Sequence, residues 1–105
     1  MDELNKIASQ ISEILKNKEE TVSVVESSSG GLISAALLSQ PGASLYYMGG
    51  QVIYTAQSIR ALTGLRLREL KEKTNNILTG SNNRIDNMFK FSEEALNQFL
   101  EIIRN

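Results

Sequence analysis

The residues best suited to chemistry lie together in one stretch, Glu26-Ser27-Ser28-Ser29-Gly30-Gly31. The β-branched run Thr21-Val22-Ser23-Val24-Val25 precedes it and predicts a short buried strand. Leu32, Ile33, Ala36 and Leu37 follow at helical spacing. The pattern therefore reads as strand, tight turn, helix. Ligands of open α/β sheets bind beyond the carboxyl ends of the strands, where this reading places Ser27. The backbone N–H groups of Ser28, Ser29, Gly30 and Gly31 would open the helix. Such groups stabilise anions, whether a phosphate or a tetrahedral oxyanion. The same residues also describe a serine-capped helix start with packing glycines, a commoner occurrence. The pattern alone leaves both readings open.

What is absent narrows the chemistry further. The chain has 105 residues with no Cys, no His and no Trp. Disulfides, thiol nucleophiles and thiolate metal sites are excluded. So are a Ser-His-Asp triad and the commonest metal ligand. Any catalysis must use Ser, Thr, Tyr, Lys, Arg, Asp or Glu. No set of carboxylates has metal-ligand spacing, and neither metal nor cofactor is expected. Tyr54, at the end of a second predicted strand, can reach the same sheet edge as Ser27, or can be a half-buried strand tyrosine. Arg60, six residues later, can face that site or solvent. Arg66, Arg68, Lys71 and Lys73 alternate with Glu69 and Glu72, which suits a solvated face. With 11 basic and 12 acidic residues the net charge is −1, and nothing global marks a nucleic-acid binder.

These residues need elements to position them. Leu4, Ile7, Ala8, Ile11, Ile14 and Leu15 form the stripe of a first helix, with Asp2 available to cap it and Lys16-Asn17-Lys18 suited to its end. Pro41-Gly42 stops the helix after the serine turn. Leu45 to Tyr54 predicts the second strand, in which Gly49-Gly50 marks a bulge or a close backbone approach. Tyr46 and Tyr47 should face opposite sides of it. A short helix from Thr55 to about Leu62, a short strand at Ile77-Leu78-Thr79 and a loop at Gly80–Asn83 come next. A last helix carries Ile85, Met88, Phe89, Leu96, Phe99, Leu100 and Ile103 on its apolar face. Helices alternating with strands predict an α/β domain with a mainly parallel sheet. No apolar run approaches a membrane span, and Met1-Asp2-Glu3-Leu4 lacks the basic start of a signal peptide. A cytoplasmic protein is expected.

Taken together, several blocks resemble the competence/damage-inducible CinA C-terminal domain family. Glu26-Ser27-Ser28-Ser29-Gly30-Gly31 is similar to its Glu-Ser-Cys-Thr-Gly-Gly signature. Pro41-Gly42-Ala43-Ser44 and Tyr47-Met48-Gly49-Gly50-Gln51-Val52-Ile53-Tyr54-Thr55 match the next blocks. Thr79-Gly80-Ser81, Arg84, Asn87-Met88-Phe89 and Phe91 resemble the closing strand and helix of one branch. The resemblance implies a three-layer α/β fold and hydrolysis of the carboxamide of nicotinamide mononucleotide to nicotinate mononucleotide and ammonia. It implies Ser27 as nucleophile and Tyr54 as the assisting group, with a lysine five residues after that tyrosine. Ser28, Ser29, Gly30, Gly31 and Arg60 would bind substrate.

The chain departs from the family pattern twice. The lysine position holds Ile59; the adjacent Arg60 supplies charge, but as a permanently protonated group it cannot be a base. A helix, a strand, a glycine-rich loop and a further strand of the family are also missing, since Lys73-Thr74-Asn75-Asn76 leads almost directly to Ile77-Leu78-Thr79-Gly80. The expectation is one domain, residues 1–105, lacking an internal segment near residues 73–77, with a reduced sheet and a long C-terminal helix. A homo-oligomer is expected because so thin a sheet leaves apolar faces uncovered. The alternative to a deamidase is a silent nucleotide-binding or assembly subunit of the same family. A homo-oligomeric scaffold with no small-molecule site is a third reading.

Overall fold

The computed structural model describes residues 1–55, 57, 58, 61 and 84–104. Ile59, Arg60, the basic stretch Arg66–Lys73, the strand expected at Ile77–Thr79 and the loop Gly80–Asn83 lie outside the described residues.

Helix α1 runs Asp2–Lys18 and buries Leu4, Ile7, Ala8, Ile11 and Leu15. Their spacing of three and four residues gathers them on one face. Met1, not Asp2, holds the N-cap position, and no side chain caps this end. Asp2 instead lies in the first turn, where its charge suits the helix dipole. Lys16 and Lys18 occupy the last turn as expected. The helix ends at Glu19 in the left-handed conformation (φ 55°). The N–H of Glu20 then donates to the Leu15 carbonyl (3.0 Å), and that of Glu19 to Lys16 (3.3 Å). This is a Schellman closure built without glycine.

Strand β1 (Val22–Glu26) pairs in parallel with β2 (Tyr47–Val52). The crossover between them contains helix α2 (Leu32–Leu38) and a 3-10 turn (Ala43–Leu45). The register places Val24 beside Gly50 and Glu26 beside Val52. It slips between Val22 and Ser23, so that Met48 is the extra residue of a bulge. Gly50 also meets the expected close approach: a Cβ there would lie 2.7 Å from the Val24 carbonyl oxygen and 2.6 Å from the Tyr47 hydroxyl. The bulge and the close approach therefore both fall within one strand.

Helix α3 (Arg84–Arg104) packs across α1 and α2. Its Leu96 and Leu100 join Leu4, Ile7, Ile11, Leu15, Leu37 and Tyr46 in the core. Phe89, Phe99 and Ile103 are half-buried against that core, as the periodicity predicts. Ile85 is 66% exposed and leaves the expected apolar face. It lies in the first turn of α3, ahead of the residues that reach the core. Tyr46 is fully buried and donates its hydroxyl proton to the Leu37 carbonyl, while Tyr47 is half-buried. Val22 and Val24 face the core, and the alternating Ser23 and Val25 are exposed. The α/β class, the parallel pairing and the long C-terminal helix are thus present. Among the described residues no helix is long and apolar enough to cross a membrane.

Candidate active site

Strand β1 ends at Glu26, and its ladder continues one step when the Ile53 N–H donates to the Glu26 carbonyl (2.8 Å). The chain then turns. The Gly30 N–H donates to the Ser27 carbonyl (3.0 Å) and the Leu32 N–H to the Ser29 carbonyl (3.2 Å). Gly30 and Gly31 take φ of 63° and 96°, a region that side chains disfavour, which is why glycines close this turn. Met88 of α3 lies over Gly30: a Cβ there would meet its terminal methyl at 2.4 Å.

The three serines separate into two kinds. Ser27 and Ser28 are exposed, whereas Ser29 is buried. Ser29 Oγ donates to Glu26 Oε1 (2.7 Å), so its proton is already committed. The same carboxylate accepts from the Ile33 N–H at Oε1 (2.9 Å) and the Ser34 N–H at Oε2 (2.8 Å). The expected serine cap is therefore corrected. Gly31 is the N-cap residue and no local side chain caps it; Glu26 reaches across from the strand to take the helix donors. A carboxylate does this better than a hydroxyl because its charge also complements the helix dipole. It follows that the second and third N–H groups of α2, those of Ile33 and Ser34, serve Glu26. The donors the turn can offer an incoming oxygen are the N–H groups of Ser28, Ser29 and Gly31.

Tyr54 lies two residues beyond Val52 and is 75% exposed. Because Glu26 pairs with Val52, Ser27 and Tyr54 leave the sheet at the same end, on neighbouring strands. Strands in a sheet are about 4.8 Å apart, so the two backbones are close there. No direct hydrogen bond joins the two side chains. Catalytic hydrogen bonds are often loose before substrate arrives. Ser58 holds the Tyr54 backbone: its Oγ accepts from the N–H groups of Tyr54 and Thr55 (both 3.1 Å). The Ser58 N–H in turn donates to Thr55 Oγ1 (3.1 Å), a reciprocal capping arrangement. Gln57, Ser58 and Ala61 are helical, as expected for this stretch.

Ser27, Ser28, Ser29, Gly30, Gly31 and Tyr54 are thus gathered at one sheet edge, and Arg60 lies outside the described residues. Sequence reasoning placed Glu26 in the candidate turn without giving it a role, and it passed over Ser58 and Met88 as parts of this edge. For Glu26 a signal existed: a lone acid ending a β-branched run, seven residues before a helix N–H it could accept. For Met88 none existed, because it arrives from the far end of the chain.

A two-stranded parallel βαβ unit with a serine-glycine turn at the strand end defines an α/β domain of the kind found in competence- and damage-inducible proteins. The chain belongs to the CinA C-terminal domain family, whose model matches residues 4–78. A CinA-like protein of Synechocystis is 42% identical over 59 residues, covering 56% of this chain and 14% of that protein. This chain therefore spans only a small part of the curated relatives it matches. The crystal structure of the competence/damage inducible protein CihA from Agrobacterium tumefaciens is 30% identical with a TM-score of 0.59, over 66% of this chain and 42% of that one. A competence or damage-inducible protein from Enterobacter asburiae is only 13% identical. It nevertheless superposes with a TM-score of 0.79 over 95% of this chain and 98% of its own, a likeness of fold.

Proposed function

We propose that this chain hydrolyses a carboxamide, with nicotinamide mononucleotide as the substrate. The observation that carries the reading is the shared sheet end. Exposed Ser27 and exposed Tyr54 leave paired parallel strands side by side, next to a turn rich in backbone donors. In the reaction, Ser27 Oγ attacks the amide carbon, and Tyr54 Oη takes the serine proton while passing its own hydroxyl proton to the amide nitrogen. The N–H groups of Ser28, Ser29 and Gly31 hold the developing oxyanion. The C–N bond then breaks, and the nitrogen, carrying that proton, leaves as ammonia. Water attacks the acyl-serine, releasing the carboxylic acid and restoring the serine hydroxyl. In this reading the positive charge of Arg60 pairs with the substrate phosphate. No cofactor or metal is required by this sequence of steps.

Ammonia release from nicotinamide mononucleotide, with wild type and Ser27→Ala side by side, tests the reading. The expected result is release from the wild type and a loss of at least about 1000-fold in the variant, the scale of losing a nucleophile. Equal release from both proteins would refute it.

A second reading is a family member that binds a nucleotide, or completes an assembly, without turnover. Ile59 in place of the family lysine is the observation that favours it. Here wild type releases no ammonia, yet calorimetry with the same nucleotide records binding heat. We further propose self-association, since Val25 lies 52% exposed on one side of the two strands among the described residues. Sedimentation at several concentrations should then show a species heavier than one chain.

A further inference from the structure

Three features of the turn bear on how Ser27 is held. The backbone of Glu26 is fixed by the ladder bond from Ile53, and its side chain by two N–H groups of α2. Ser29 Oγ ties the third residue of the turn back to the same carboxylate, closing a short loop that contains only Ser27 and Ser28. Glu26 is 2% exposed, so these bonds form away from competing water. Both of its oxygens are engaged, Oε1 twice and Oε2 once. It is therefore aimed at the helix, and no hydrogen bond joins it to the Ser27 hydroxyl. Ser29 is only 5% exposed, so its hydroxyl is withdrawn from an incoming substrate and does not compete with Ser27.

We propose that Glu26 and Ser29 form a positioning pair, which holds Ser27 at the sheet edge in the attitude required for attack. The inference rests on the reading of Ser27 as nucleophile. Neither side chain touches the reacting atoms. The pair acts through the backbone: the carboxylate locks the strand end to the helix start, and the serine bond sets the curvature of the loop between them. A residue with only a capping role would lower stability when changed, yet leave the folded enzyme turning over at the normal rate. A positioning residue lowers kcat in protein that is still folded.

Ser29→Ala separates the two, because it deletes one hydrogen bond and leaves the Ile33 and Ser34 bonds to Glu26 in place. Turnover of nicotinamide mononucleotide is measured on the full chain, with circular dichroism confirming the folded state. The kcat of Ser29→Ala should fall about ten-fold or more, a loss small beside the roughly hundred-fold a 1 Å misplacement can cause. KM should stay within about two-fold, since ground-state binding is not what the bond serves. Ser29→Thr keeps the hydroxyl donor and should restore most of the kcat. Glu26→Gln, where it folds, should lose more than Ser29→Ala, because the amide nitrogen that replaces one carboxylate oxygen cannot accept the bond made there and sets its own hydrogens against that donor. A folded Ser29→Ala with wild-type kcat would overturn the inference and leave the deamidase reading standing. No ammonia from the wild type would overturn both, and so identifies the failure as that of the underlying reading.

Discussion

Two buried polar side chains behave in opposite ways. Glu26 is buried with three donors on its carboxylate, so the desolvation of its charge is offset by charge-assisted bonds. Ser12 is buried in the apolar face of α1, and its Oγ has no hydrogen-bond partner. A lost hydroxyl bond of this kind costs on the order of 1–3 kcal/mol. Ser12→Ala removes the orphan and improves helix propensity. The variant should therefore be more stable by about 1 kcal/mol, seen as a higher urea midpoint with an unchanged slope. The reverse holds at the turn. Glu26→Gln should lose roughly 2 kcal/mol in the same titration, because one carboxylate oxygen becomes a donor facing a donor and the charge that strengthens the remaining bonds is gone. A Glu26→Gln midpoint equal to wild type would mean the carboxylate contributes nothing net.

Elements end where their last donors and acceptors find partners, and α1 shows how. Its Schellman closure needs a left-handed residue, and Glu19 supplies it at a conformational cost of about 1–2 kcal/mol. Glycine takes that conformation freely but has more freedom to lose on folding. Glu19→Gly should therefore gain a net of about 0.5–1 kcal/mol, measured as a rise in thermal midpoint. A fall would show that Glu19 makes a compensating contribution in the native state. Strand β2 carries the complementary constraint. At Gly50 the neighbouring strand leaves no room for a Cβ, and Val24 backbone cannot move aside as a flexible side chain could. Of the two expectations for the glycine pair, the close approach falls at Gly50 and the bulge at Met48, just ahead of the pair.

At the scale of the molecule, α3 makes one core out of two ends of the chain. Leu96 and Leu100 pack with α1 residues more than 80 positions earlier, while Met88 lies over the serine turn. Leu96 is 1% exposed in that core. Leu96→Ala should cost about 2–5 kcal/mol by lost burial and a cavity. In a domain whose total stability is of order 5–15 kcal/mol this should lower the urea midpoint sharply, or leave the protein partly unfolded. Little change would mean that α3 is not a stabilising part of the domain. The same packing links fold to site: loosening α3 removes the side chain that covers Gly30.

The sequence by itself determined α1, β1, β2 and α3 and singled out the turn proposed as the site. Helical periodicity set the buried faces of α1 and α3, and the β-branched run followed by serines and glycines located a strand end and its turn. Such features are local, because spacing within one element decides which side chains share a face. The family resemblance rested on those same contiguous blocks. Only the tertiary structure decided what each serine does. Ser29 is spent on Glu26 while Ser27 and Ser28 remain exposed, a division that depends on how β1 meets α2. Likewise Ser27 and Tyr54, 27 positions apart, share an edge through the parallel register of Glu26 with Val52. Ile85 left the predicted apolar stripe for the same reason: a helix face is buried only where another element reaches it. Pairings between distant segments are settled by mutual packing and hydrogen bonding, and no local spacing in the chain encodes them.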